Sequence, residues 1–267
     1  MSMPADFDPD ALEGRKTFIR LGHAAGLQQR SVIGHSDAVG TTEGSLYSEH
    51  DTAAIHSNVM DHFASPGIVY VASTSSNDAD GGTGAQEVLL TGIHQNGSEA
   101  SESITLDGQN IVESSTPFKV VTSIDVMAAG TLGQNEGVIW VGADNSFTAG
   151  VPDLPLNACG AATNQSSTAI LAVPRNKRWV PTQLSLMAGE INSNQDLIYQ
   201  IILRDSSTGL VYEILDLHSR LTGNGVTLPM ECVEPLEALD LMMIRVAVSA
   251  GTASVTTMLD GILVDVV

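Results

Sequence analysis

The sequence predicts an all-β fold: an N-terminal arm followed by two antiparallel β-sandwich domains of jelly-roll-like type. Three observations lead there. From Phe63 onward apolar residues recur mostly at alternate positions in short runs, the period of a strand with one buried face. Turn-forming pairs such as Asn96-Gly97 and Asp107-Gly108 separate the runs, and both central residues of such hairpin turns need positive φ. Helical period is nearly absent, and many short strands at close spacing are the pattern of a sandwich or barrel.

Residues 1–62 read as the arm, a docking segment that gains order by packing on a neighbour. Asp8 and Pro9 suit the N-cap and first position of a short helix, but Leu12, Phe18 and Ile19 do not complete an apolar stripe. Residues 63–150 form the first sandwich. Its strands are "GIVYVAST", "QEVLLTGI", "ASESITL", "NIV", "FKVVTSIDVMAAG" and "GVIWVGAD". The stretch 146–168 carries Gly150, Pro152 and Pro155 and reads as a linker. Residues 151–267 form the second sandwich. "TAILAVP" and "RWVPTQLSLMAG" open it, "DLIYQIILRD" and "GLVYEILDLH" make a hairpin across "SSTG", and "LDLMMIRVAVSAG" and "TMLDGILVDVV" close it. In the hairpin's first strand Leu197, Tyr199, Ile201 and Leu203 share one face. β-branched residues at alternate places in "IRVAV" assign the methionine-rich run to a strand.

The 267 residues carry 11 basic and 31 acidic side chains, a net charge of −20. Only Lys16, Lys119 and Lys177 are lysines. No positive stripe can be assembled from so few cations, so nucleic acid is not an expected partner. No apolar run reaches the roughly 18 residues of a membrane helix, and the acidic "MSMPADFDPD" start does not resemble a secretory signal, so no membrane partner is expected. The acidity fits either a well-solvated surface or a high-salt milieu that screens repulsion among carboxylates.

Three features invite a site. The stretch "STSSNDADGGTG", Ser73–Gly84, fits a calcium loop with Ser76, Asp78, Asp80, Gly81 and Glu87 at positions one, three, five, six and twelve. Serine at the first position, Gly84 at the ninth and strand flanks count against that fit. "GGTG" also lacks the Lys-Ser/Thr of a phosphate loop. A strand-connecting loop is the expected reading, with cation binding left open. His50, His56 and His62 recur every six residues beside Glu49, Asp51 and Asp61. A six-residue step on a helix does not bring them to one face, so polar contacts are expected rather than a metal site. Cys159 and Cys232 stand in no CxxC or CxxH spacing and are expected to be free or buried thiols, with a disulfide between them left open. No GxSxG, HExxH or Cys-beside-His pattern occurs, so no catalytic residue, cofactor or metal is assigned.

From Tyr70 to Asn110 the order is a strand, a Ser/Asn/Asp-rich loop ending in "GTGA", a strand ending in Gly, a hairpin and "SESITLDG". With "GVIWVGADNSFTAGVP", and "ILAVPRNKRWVPTQLSLMAG" through "TMLDGILVDVV", this resembles a family of tailed-virus virion structural proteins over residues 63–267. The resemblance implies a non-enzymatic head decoration, turret or tail-fibre protein on the virion, assembled in the host cytoplasm. A homo-oligomer, trimer or pentamer, bound to the major capsid protein or other virion proteins follows from it. A tail or baseplate protein binding a host-surface glycan is the alternative. The family motif is structural and assigns no site residue. The acidity and scarcity of lysine depart from it and suggest a virus of a halophilic, archaeal host.

Overall fold

A computed structural model describes residues 26–39, 44–45, 53–166, 168–189, 196–219, 226–229, 234–249 and 251–266. The fold is all-β and sandwich-type, with antiparallel sheets and a single helix among the described residues. In chain order the strands are β1 (Leu27–Val39) and β2 (Gly44–Ser45), the helix α1 (Ala53–Ala64), then β3 (Tyr70–Ser73), β4 (Ala85–His94), β5 (Glu99–Thr105) and β6 (Val112–Glu113). There follow β7 (Phe118–Ala129), β8 (Ile139–Gly142), β9 (Phe147–Thr148), β10 (Val151–Pro152), β11 (Pro155–Cys159) and β12 (Ile170–Ala172). The rest are β13 (Lys177–Gly189), β14 (Leu197–Arg204), β15 (Val211–Ser219), β16 (Val226–Pro229), β17 (Leu241–Val248) and β18 (Ala253–Asp265).

Among the described residues two pairs of sheets build most of the structure, and β9 and β10 form a small two-stranded sheet of their own. In the first pair, β5-β4-β7 faces β11-β8-β3-β6. Val88, Leu90 and Ile124 from one meet Val71, Ile139 and Val141 from the other in a single apolar core. In the second pair, β1-β18-β13-β16 faces β12-β17-β14-β15, on which β2 adds to β17. Trp179, Leu184 and Leu259 there meet Tyr199, Ile201 and Ile244. The inward face of β14 holds Leu197, Tyr199 and Ile201, as its alternation predicts. Its other face sends Ile202 into the first core, where Ile170 and Met243 join it. The β12-β17-β14-β15 sheet is therefore covered on both sides, which is why "LMMIRVAV" of β17 is almost continuously apolar and buried.

Two segments differ from the sequence reading. The segment read as an arm supplies β1, paired antiparallel with β18 from Leu27↔Val264 to Val39↔Ala253, and α1, whose Val59, Met60 and Phe63 enter the first core. β1 is hard to read because Val32 is its one buried apolar side chain among the positions described; its partner β18 brings the apolar surface. Asp8, Pro9 and the helix expected there lie outside the described residues. The stretch read as a linker holds β9, β10 and β11, and every residue of β11 is buried against β8. Pro155 is tolerated because it opens the strand, and Asn157 hides the apolar pattern.

Candidate functional site

The Ser73–Gly84 loop closes on its own carboxylate. Asp78 is fully buried, and its two oxygens accept the Ser73 hydroxyl at 2.5 Å and the backbone N–H groups of Ala85, Glu136 and Gly137, each at 2.8 Å. Gly84 is required beside it, since a Cβ there would collide with Asp78 Oδ1. The loop is also stitched to its neighbours. Thr74 and Val138 exchange bonds, Asn77 Nδ2 donates to Glu136, and Gly108 N–H donates to the Asp78 carbonyl at 2.8 Å. Both oxygens of the carboxylate at the third calcium-loop position thus point into protein donors. Among the described residues no group of three or more His, Cys, Asp or Glu converges to hold a metal ion.

Of the histidine series, only the His62 side chain is described. His50 lies outside the described residues, and of the His56 side chain nothing is described. His62 sits in the last turn of α1, buried, with Nε2 3.1 Å from the Phe118 carbonyl. Burial is the chief cause that pushes its ring below the ordinary pKa; the bond to Phe118 opposes this and the nearby Lys119 charge adds to it. His62 is therefore a neutral donor to a backbone carbonyl. Cys159 is a buried free thiol with Sγ 3.5 Å from Thr163 Oγ1, and burial pushes its pKa up to about 11. Cys232 lies outside the described residues.

Four surface features remain. A cavity of about 260 Å³ lies where β1 crosses β4 and β7, walled by Arg30, Ser31, Thr91, Thr122, Gln165 and Thr168. Arg30 spans the two sheet pairs there, its guanidinium 2.7 Å from the Glu99 carboxylate. A second cavity of about 460 Å³ is lined by the apolar Leu203, Ile214 and Leu236 together with Asp205, Glu234, Glu237 and Asp240. Most of these acids have structural duties. Asp240 accepts the N–H groups of Ser206 and Glu237, Asp205 accepts Ser207, and Glu237 pairs with Arg178 at 2.7 Å.

The third feature is an open strand edge. Among the described residues β15 pairs with β14 alone, and Leu210, Val211 and Tyr212 are 57 %, 53 % and 41 % exposed along it. The edge strand β5 is different, its exposed positions being mostly Ser, Thr and Glu. Charged side chains on an edge discourage pairing with another chain, and an apolar edge invites it. The fourth feature is a pair of cations, Lys119 and Arg204, stacked on Phe63. Sequence reading found neither. The cue for the edge was "GLVY", apolar beyond what an alternating strand needs, and the cue for the cations was their rarity.

No protein-family model matches the chain, and no curated protein matches it. Among solved structures, the chain overlays loosely on those of infectious bursal disease virus. The Gt strain structure overlays with a TM-score of 0.22 at 11 % identity, covering 90 % of this chain and 72 % of that one. The VP2 subviral particle gives a TM-score of 0.21 at 12 % identity, covering 91 % and 73 %. Overlays this loose do not establish a shared fold.

Proposed function

We propose that the chain is a non-enzymatic structural protein of a virus particle that acts by self-association. The outer edge of β15 carries the reading, because no described strand covers it and Val211 and Tyr212 on it, with Leu210 just before it, are exposed, so it is a template for a further strand. The Asp78 loop, with both carboxylate oxygens bonded within the chain, suits a building block better than a catalytic loop. More finely, the order of features in residues 63–267 supports a tailed-virus protein, and we favour a turret or decoration protein on the head that contacts the major capsid protein. The charge of −20 supports a halophilic host. On this reading the chain is two β-units that share the β12-β17-β14-β15 sheet, the first running on through β11, with α1 packed into the first core and β1 into the second.

The test is the mass of the isolated full chain by light scattering over a range of concentration and salt, followed by imaging of labelled particles. Trimers or pentamers and label on head faces or vertices are expected. A monomer under every condition would overturn the proposal. A second reading, a tail or baseplate protein that binds a host-surface glycan, is favoured by the hydroxyl-rich cavity beside Arg30. Retention of the isolated protein on host envelopes, lost on adding free glycan, would select it.

A further inference from the structure

Positive charge is scarce in this protein, and its placement is informative. Among the described residues Arg30, Lys177 and Arg178 each sit 2.7–2.8 Å from a carboxylate. Lys119 and Arg204 have no carboxylate at ion-pair distance among those residues. Instead Lys119 Nζ lies 4.5 Å and Arg204 Cζ 5.4 Å from the centroid of the same ring, Phe63. Both side chains are half-buried, Phe63 is buried, and the three residues come from β7, β14 and α1. Burial, then the charge of Arg204, holds the Lys119 amine below its ordinary range.

Two like charges side by side repel, and partial burial removes some of the water that would screen them. The Phe63 ring face attracts both cations, but at a partly exposed site that attraction is modest. The C-terminal turn of α1, which contains Phe63, adds a weak negative field. His62, the basic group in that turn, has its ring pKa lowered first by burial and so leaves that field in place. An oxyanion is the group that satisfies both cations together, since an ammonium and a guanidinium each give charge-assisted bonds to one oxygen of a carboxylate.

We propose that Lys119 and Arg204 are the receiving half of a contact between copies, taking a carboxylate from the acidic surface of a second copy of this chain. The inference rests on the self-association reading and adds where and by what chemistry the copies meet. Charge complementarity selects the occupant. With 31 acidic and 11 basic side chains per copy, two copies repel over most approaches. A site with uncompensated positive charge is where approach is favourable, and it also fixes orientation.

The test compares Lys119→Glu and Arg204→Glu with Lys177→Glu in the full chain by sedimentation equilibrium at fixed salt. All three variants change net charge equally, but Lys177 already pairs with Asp265 at 2.8 Å. Association at least about tenfold weaker is expected for the first two relative to Lys177→Glu, the scale of losing an interfacial charge pair. Lys119→Arg should associate like the wild type. If the wild type assembles and Lys119→Glu matches Lys177→Glu, this inference fails and self-association stands. A wild type that stays monomeric defeats both. A lowered melting temperature with unchanged mass would mean that the carboxylate comes from the same chain, and would overturn the inference. Should charge reversal prevent folding, Lys119→Gln and Arg204→Gln must weaken association by about threefold or more, and parity with the wild type overturns the inference.

Discussion

Asp78 shows how one side chain organises a loop that looks like a ligand site. Its carboxylate holds three backbone N–H groups and the Ser73 hydroxyl in a place closed to solvent. Asp78→Ala would orphan those donors at about 1–3 kcal/mol each where water cannot enter, so a net loss of about 3–5 kcal/mol is expected in urea unfolding. Asp78→Asn, which keeps one acceptor oxygen, should lose less. The near-match to a calcium loop was legible because a loop wrapped around a carboxylate and a loop wrapped around a cation both need Asp and Gly at close spacing. The difference was not legible, because two of the donors, Glu136 and Gly137, return from 58 and 59 residues away. His62 gives a pH dependence of definite sign. Burial, its chief perturbation, lowers the ring below its ordinary value of 6.5. As pH falls through 6.5 the unfolded chain takes up a proton that the folded chain declines, so stability present above that pH is lost below it. The urea midpoint should fall between pH 7 and pH 5, and His62→Gln should flatten that fall. Glu102 acts in a lower window. Burial pushes its carboxyl up, but bonds from Ser115 and Thr116 outweigh this and lower it, so its contribution fades only below its ordinary value of 4.5.

At the scale of elements, the strands that alternate were legible, and those that borrow their apolar surface were not. The β14–β15 hairpin lies where "LIYQIILR" and "VYEILDLH" placed it, because each strand shows its own period. β1 contains Gln28, Gln29, Arg30 and Ser31, so its place is fixed by pairing with β18 and not by its own side chains. The fully buried β11 has no polar face to reveal a period of two. The fate of an edge is likewise decided by what fails to cover it. If β15 is the assembly edge, Val211→Lys should weaken self-association at least about tenfold by adding a charge where a strand would pair. The melting temperature should change little, since Val211 is 53 % exposed. The same substitution at Thr105, at the end of the polar edge strand β5, is the control and should leave the mass distribution unchanged. Size-exclusion chromatography with light scattering reads both.

For the whole molecule, the acidity sets a balance that salt should move. The β12-β17-β14-β15 sheet is sandwiched between two cores, so the two pairs of sheets share one wall and should unfold together. Against that apolar cohesion stands repulsion among 31 carboxylates offset by only 11 cations. The range of this repulsion shrinks from about 10 Å at 0.1 M salt to about 3 Å at 1 M. Contacts at bonding distance, such as Lys177 with Asp265 at 2.8 Å, are shorter than either range and lose less. Raising potassium chloride from 0.1 M to 2 M should therefore raise the melting temperature, by about 5 °C or more if repulsion relieved is worth about 2 kcal/mol. Chloride is the salt to use, because sulfate stabilises most proteins through exclusion from their surface. Self-association should strengthen over the lower part of that range, as long-range repulsion between copies is screened before the Lys119–Arg204 contact is. A melting temperature unmoved by chloride would remove the halophilic reading and leave the charge as a solubility feature. A melting temperature that rises while association weakens throughout would instead mean that attraction between unlike charges dominates the encounter, even at −20 per copy.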